Sequence, residues 1–222
     1  MKRWLIWYSL TCLCMASTSL GFAPSSPLQS LAIRSRARRQ PLCEMKILTN
    51  QYLPQDITLS VNGKPMTVRE IFKERTGIIF AVPGAFTPTC TDKHLPGFLD
   101  TTNLKKIMQK VDFVGCLAVN DPFVLKAWAR QTGAIDKIVF ISDGNGELTR
   151  AIGMEKDCTG GFMGIRSDRY AMFVAKGGRV QWLGEGEDAF AEEVVAALQR
   201  LWMVFTHASR FNSEYHEEGV PE

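Results

Sequence analysis

No two cysteines in this sequence are spaced as Cys-x-x-Cys, and no cysteine–histidine group has the spacing of a zinc module. The first absence excludes the redox dithiol of a thioredoxin-like reductase, the second the common structural zinc sites. Acidic residues are missing altogether from residues 1–43, which hold Lys2, Arg3, Arg34, Arg36, Arg38 and Arg39. Setting those six aside leaves 20 basic against 23 acidic residues, so the formal charge of +3 belongs to the N-terminus and the body is mildly acidic. Such a body carries no footprint for a phosphate backbone, and nucleic acid is not an expected partner. Lys176-Gly177-Gly178 and Gly184-Glu185-Gly186 are too short for phosphate loops and read as turns. No metal, flavin, haem or nucleotide site is visible, and no cofactor is expected. No internal repeat or low-complexity segment interrupts the body. Its cysteines, Cys90, Cys116 and Cys158, are too sparse for a disulfide framework and read as free thiols.

What is present begins with a leader. Met1-Lys2-Arg3 is positive, Trp4 to about Leu20 is apolar but diluted by Ser and Thr, and small residues follow at Ala16 to Gly21. That order is a signal peptide, assigned to residues 1–21. The stretch is short for a bilayer span, so a membrane anchor is the weaker reading, and the mature protein is expected to be free of the membrane. Residues 22–43 are Ser- and Arg-rich and acid-free, as transit peptides are. Joined at Gly21-Phe22-Ala23-Pro24, the two segments resemble the bipartite leader of algae with secondary plastids. The resemblance implies a plastid; plain secretion with a basic linker is the alternative.

The body, residues 44–205, alternates strand and helix signals, and a polar tail follows at 206–222. Ile57 to Val61 alternates like a strand and meets a hairpin turn signal at Asn62-Gly63. Val68 to Arg75 reads as a helix. Gly77 to Val82, Val111 to Val119 and Lys137 to Ser142 are apolar runs of strand length, as in a sheet buried on both faces. Thr91 to Gln109 is expected to be helical, interrupted at Pro96-Gly97. Asp121 caps a helix with Pro122 at its first position, running to about Gln131. A short helix is expected over Leu148 to Met154. Tyr170 to Ala175 and Val180 to Leu183 form a hairpin across Lys176-Gly177-Gly178, and Asp188 to about Trp202 is an amphipathic helix. The order predicts an α/β fold: a thioredoxin-like sandwich with a mixed central β-sheet flanked by helices.

Cys90 stands apart from the other cysteines. It follows a buried strand and the loop Pro83-Gly84-Ala85-Phe86-Thr87-Pro88-Thr89, and it opens a helix. That position aims backbone N–H groups and the positive end of the helix dipole at the sulfur, which favours the nucleophilic thiolate. The Thr87 hydroxyl, three residues earlier, is placed to donate to a thiolate or accept from a hydroperoxide, and Pro83 to wall the pocket. A lone buried cysteine is ordinarily a small hydrophobe; the Pro-x-x-x-Thr-x-x-Cys spacing at a helix start argues otherwise.

The run from Pro83 to Cys90, extended through Thr91-Asp92-Lys93-His94-Leu95-Pro96-Gly97-Phe98, resembles the active-site motif of the peroxiredoxins, specifically the type II, peroxiredoxin-5-like subfamily of plants and algae. Val119-Asn120-Asp121-Pro122-Phe123 and Lys126-Ala127-Trp128 match it too, and the resemblance covers about residues 45–202. It implies a thiol peroxidase acting on hydrogen peroxide and alkyl hydroperoxides, with Cys90 passing through a sulfenic acid and electrons coming from thioredoxin or from glutaredoxin and glutathione. It also implies an arginine before a late strand, which matches Arg169, with Arg166 as a supporting candidate. Cys116 resembles the resolving cysteine of plant members, although the segment between Phe98 and Cys116 is one residue longer here. A cysteine in a buried strand is usually inert, so Cys158 or no internal cysteine stays open as the resolver. His94 invites a Cys–His dyad or metal-ligand reading, but the family uses no histidine base, and a helix-surface or interface residue is the better expectation. The resemblance further implies a homodimer, with Phe86, Phe123 and Trp128 as aromatic contacts. A peroxide sensor that relays oxidation to partner thiols is the alternative function.

Overall fold

Three runs with Val, Ile and Phe at successive positions set the centre of the molecule, because strands rich in these residues are stable only with both faces covered. In a computed structural model of the chain, which describes residues 45–217, with side chains as far as Val204, these runs are β3 (Gly77–Val82), β4 (Phe113–Ala118) and β5 (Val139–Ser142). They pair in parallel, Phe80 opposite Cys116 and Cys116 opposite Phe140. β1 (Thr58–Val61) joins β5 antiparallel and carries β2 (Lys64–Thr67) across the Asn62-Gly63 turn. On the other side β8 (Tyr170–Val174) and β9 (Val180–Glu185) add an antiparallel hairpin to β3. The result is a seven-stranded mixed sheet in the order β2-β1-β5-β4-β3-β8-β9, the thioredoxin-like sandwich expected.

Alternate residues of each central strand point to opposite faces, and each face has its own core. Ile78, Phe80, Val114 and Cys116 face α2 (Leu95–Leu99), α3 (Thr101–Met108), α4 (Pro122–Gln131) and α6 (Ala191–Glu217). Ile79, Leu117 and Met172 face α1 (Val68–Phe72) and α5 (Glu147–Ala151). Each fully buried side chain of this size stabilises the fold by roughly 1.5–3 kcal/mol. The helices start where capping chemistry allows. The Asp121 carboxylate accepts from the backbone N–H groups of Phe123 and Val124 at 2.9 and 3.0 Å, with Pro122 following as expected.

Three features differ from the sequence expectation. The Thr91–Gln109 helix breaks at Asp100 and not at Pro96-Gly97, which lie inside α2. Cys90–His94 forms a π-helical turn in which Leu95 N–H reaches back to the Cys90 carbonyl. The wider turn accommodates Pro96, which has no N–H to offer. Asp100 starts the next helix by accepting from Thr102 and Asn103 N–H at 2.9 and 3.0 Å. The final helix continues past Trp202 to Glu217, as a stretch with no Pro or Gly permits. A short hairpin, β6 (Glu155–Asp157) and β7 (Ile165–Ser167), forms its own two-stranded sheet. Its three-residue strands are too brief to show a period. The expected leader lies outside the described residues. Among those described, no helix is long and apolar enough to cross a membrane.

Candidate active site

The loop leaving β3 is tied down before it reaches Cys90. Ala85 N–H donates to the Asn120 side-chain oxygen at 3.0 Å, fixing the loop to the β4–α4 connection. Phe86 takes a left-handed backbone, φ 62°. The Thr87 hydroxyl donates to the Gly84 carbonyl at 2.9 Å, and the Thr87 carbonyl accepts the Thr91 N–H at 2.9 Å as the helix begins. Trp128 is fully buried against this turn, and its indole N–H donates to the Thr91 hydroxyl at 3.2 Å. It is therefore core and not a surface aromatic available to a partner subunit. Pro83 is half-buried at the end of β3.

Cys90 is 1% exposed. Arg169, placed just before β8, brings Nη2 to 3.5 Å from the Cys90 sulfur. The same guanidinium meets His94: Nη1 lies 2.7 Å from Nδ1 of the ring. On its other side His94 Nε2 lies 3.0 Å from the Ala189 carbonyl oxygen. A carbonyl only accepts, so Nε2 carries the proton and donates, leaving the Nδ1 lone pair to accept from the guanidinium. Only the neutral ring can do both. Burial lowers the His94 pKa to about 4; the Arg169 charge also lowers it, against an opposing pull from the Ala189 carbonyl. The ring packs among Phe80, Phe98 and Phe190.

The expectation of a surface or interface position for His94 is thus overturned. The four-residue spacing of Cys90, His94 and Phe98 puts all three on one helix face, but spacing by itself leaves the burial of that face open. Arg169 also stacks over Phe190, 5.6 Å from the ring centre, and its backbone N–H donates to the Asp168 carboxylate at 3.0 Å. Asp168 is in turn held by Lys46 and Lys156.

Arg166 occupies a different place. Its Nε donates to the Met163 carbonyl at 2.7 Å and Nη1 to the Val119 carbonyl at 2.9 Å. It clamps the β6–β7 hairpin to the loop after β4, beside Gly84. Cys116 sits in the middle of β4, 0% exposed, with Phe80 and Phe140 opposite it on the flanking strands. Burial, then the neighbouring Cys90, push its thiol well above the ordinary range. Cys158 is half-buried in the β6–β7 connection, and its backbone N–H donates to the Gly164 carbonyl at 2.9 Å.

A hydroxyl-anchored loop, a buried thiol at a helix start and a guanidinium aimed at its sulfur form a site for attack on a small electrophile that becomes anionic as it reacts. Residues 48–198 match the Redoxin family. The chain belongs to the peroxiredoxins. This peroxiredoxin is 44% identical to peroxiredoxin-2E-2, chloroplastic, of Oryza sativa subsp. japonica over 142 residues, 61% of this chain and 63% of that protein. It is 37% identical to peroxiredoxin-2C of Arabidopsis thaliana over 137 residues, 60% of this chain and 84% of that one. Reduced Prx3 from Vibrio vulnificus shares 39% identity with a TM-score of 0.64, covering 69% of this chain and 99% of that chain; the same protein is also solved with hydrogen peroxide. These relatives make the chain a type II peroxiredoxin and a thiol peroxidase.

Proposed function

We propose that Cys90 is the peroxidatic nucleophile of this peroxidase and that Arg169 stabilises both its thiolate and the developing alkoxide. The observation that carries the reading is the Arg169 Nη2 at 3.5 Å from the Cys90 sulfur. The thiolate attacks the terminal peroxide oxygen, a sulfur–oxygen bond forms and the O–O bond breaks. The departing alkoxide or hydroxide takes up a proton and leaves as alcohol or water, and Cys90 is left as sulfenic acid. A positive, preorganised donor at the breaking bond strengthens as charge develops there. Thr87, anchored to Gly84, turns to the peroxide once substrate displaces that bond, and Pro83 keeps bulk water from the sulfur. Arg166 supports the pocket by holding its walls.

Recycling goes through Cys116: its thiol condenses with the sulfenic acid, releasing water, and thioredoxin or glutaredoxin reduces the disulfide. Both sulfurs belong to one core cluster, which favours this pairing, while the burial of Cys116 requires the Cys90 helix start to unwind locally. The test is peroxide turnover by residues 44–222 with a thioredoxin system, followed by peptide mapping after one equivalent of peroxide. A Cys90–Cys116 disulfide, and a Cys116→Ser variant that fails only with thioredoxin, support the cycle. A Cys90–Cys158 peptide rejects it, and undiminished turnover of Cys116→Ser shows a single-cysteine cycle. Phe123, 80% exposed at the start of α4, and the half-exposed Phe86 favour a homodimer through that edge; a monomer by gel filtration at micromolar concentration removes it. The chloroplastic relatives and the acid-free leader favour a plastid location.

A further inference from the structure

The molecule's large cavity is not the peroxide site. A groove of about 730 Å³ runs between α4 and β5, and none of Pro83, Thr87, Cys90, Arg166 or Arg169 lines it. Its floor is apolar, formed by Val114, Leu125, Ala129, Ile138 and Phe140, all buried in the fold. Its mouth is basic. Lys64 enters from the β1–β2 turn, Lys126 from α4 and Lys137 from the segment before β5. None of the three has a carboxylate within ion-pair distance among the described residues. Two acids, Asp112 and Asp136, share the rim, so the three lysines outnumber the carboxylates, and Asp112 is turned to the Thr76 N–H and hydroxyl at 2.6 and 2.9 Å.

We infer that this groove binds an amphipathic carboxylate, with its chain over the apolar floor and its head among the three lysines. The volume lies within the range of small-molecule sites, roughly 300–1,000 Å³, and an apolar lining with a few converging polar groups is their usual composition. Unpaired cations around an apolar floor select an anionic head over a neutral one, because the head completes ion pairs that the protein leaves open. Phe123, 80% exposed, also lines the groove.

The probe is laurate, titrated below its micelle concentration into the purified full chain, followed by calorimetry and by amide shifts in NMR. The expected result is saturable one-to-one binding with shifts at Leu125, Ala129 and Ile138. A K64E/K126E/K137E variant, checked for folding by its thermal transition, binds about tenfold or more weakly, while its peroxide consumption is unchanged. Dodecanol binds less tightly than laurate. Absence of saturable binding overturns the inference, as do an unchanged affinity in the charge-reversed variant, equal affinity for dodecanol, or shifts centred on Cys90 and Arg169. Binding of an acidic peptide but not of laurate assigns the groove to a protein partner and likewise overturns it.

Discussion

Cys90 and Cys116 are equally buried, lie in the same core cluster, and have opposite surroundings. Cys116 has apolar strands on either side of it, and burial, then the neighbouring Cys90, push its thiol up. Cys90 has a helix start beneath it and a guanidinium at 3.5 Å. On the proposed reading, two thiols of equal burial differ in reactivity because of the charges and dipoles buried with them.

The sharpest way to break this contrast is to exchange the roles. Cys90→Ser is expected to bring peroxide consumption to background, and Cys116→Ala to leave the first turnover unchanged at a stability loss of about 1 kcal/mol, read by denaturant unfolding. Next in size is the contrast between the two arginines. Arg169→Met is expected to slow the peroxide step by about a hundred- to a thousandfold, the range for losing one donor to a developing oxyanion. Arg166→Met removes two bonds to backbone carbonyls, so about 2 kcal/mol of stability is expected to go while the peroxide step falls by less than about tenfold. If stopped-flow rates rank the two variants the other way, the pocket geometry has been misassigned.

His94 sharpens the comparison further, because it acts on the sulfur only through Arg169. His94→Leu leaves the guanidinium without its acceptor and is expected to slow the peroxide step by roughly tenfold. His94→Gln, whose carbonyl oxygen can accept the same bond, is expected to recover most of it. A loss equal to that of Cys90→Ser would instead make the ring a base.

The same ring also sets a dependence of stability on pH. The folded ring titrates near 4 and the free one near 6.5. Between those values the unfolded chain binds a proton that the folded chain refuses. Stability is thus full above about pH 6.5 and falls as the pH drops toward 4, by up to about 3 kcal/mol. In His94→Gln this part of the acid dependence of the thermal midpoint should vanish.

The central strands around Cys90 were legible because β3, β4 and β5 are continuous apolar runs, and the α4 start because Asp121-Pro122 states its cap. The loop motif pointed to Cys90 and the family resemblance to Arg169, and the fold brings those two together. The β6–β7 hairpin was not legible: three-residue strands carry no period, and the Gly-rich stretch between them reads as loop. Nor was the burial of His94 or Trp128 clear, since each has a polar tip whose partner, Ala189 or Thr91, lies far along the chain. Arg166 and Arg169 look alike in sequence, three residues apart; only β7 pairing and the turn into β8 send one to carbonyls and the other to the sulfur.

Single-turnover consumption of one equivalent of hydrogen peroxide by the reduced protein, with no recycling system present, tests the central claim without reference to the resolving cysteine. Wild type and Cys116→Ala are expected to consume the peroxide at the same rate and Cys90→Ser to leave it untouched. Consumption by Cys90→Ser at the wild-type rate would contradict that claim.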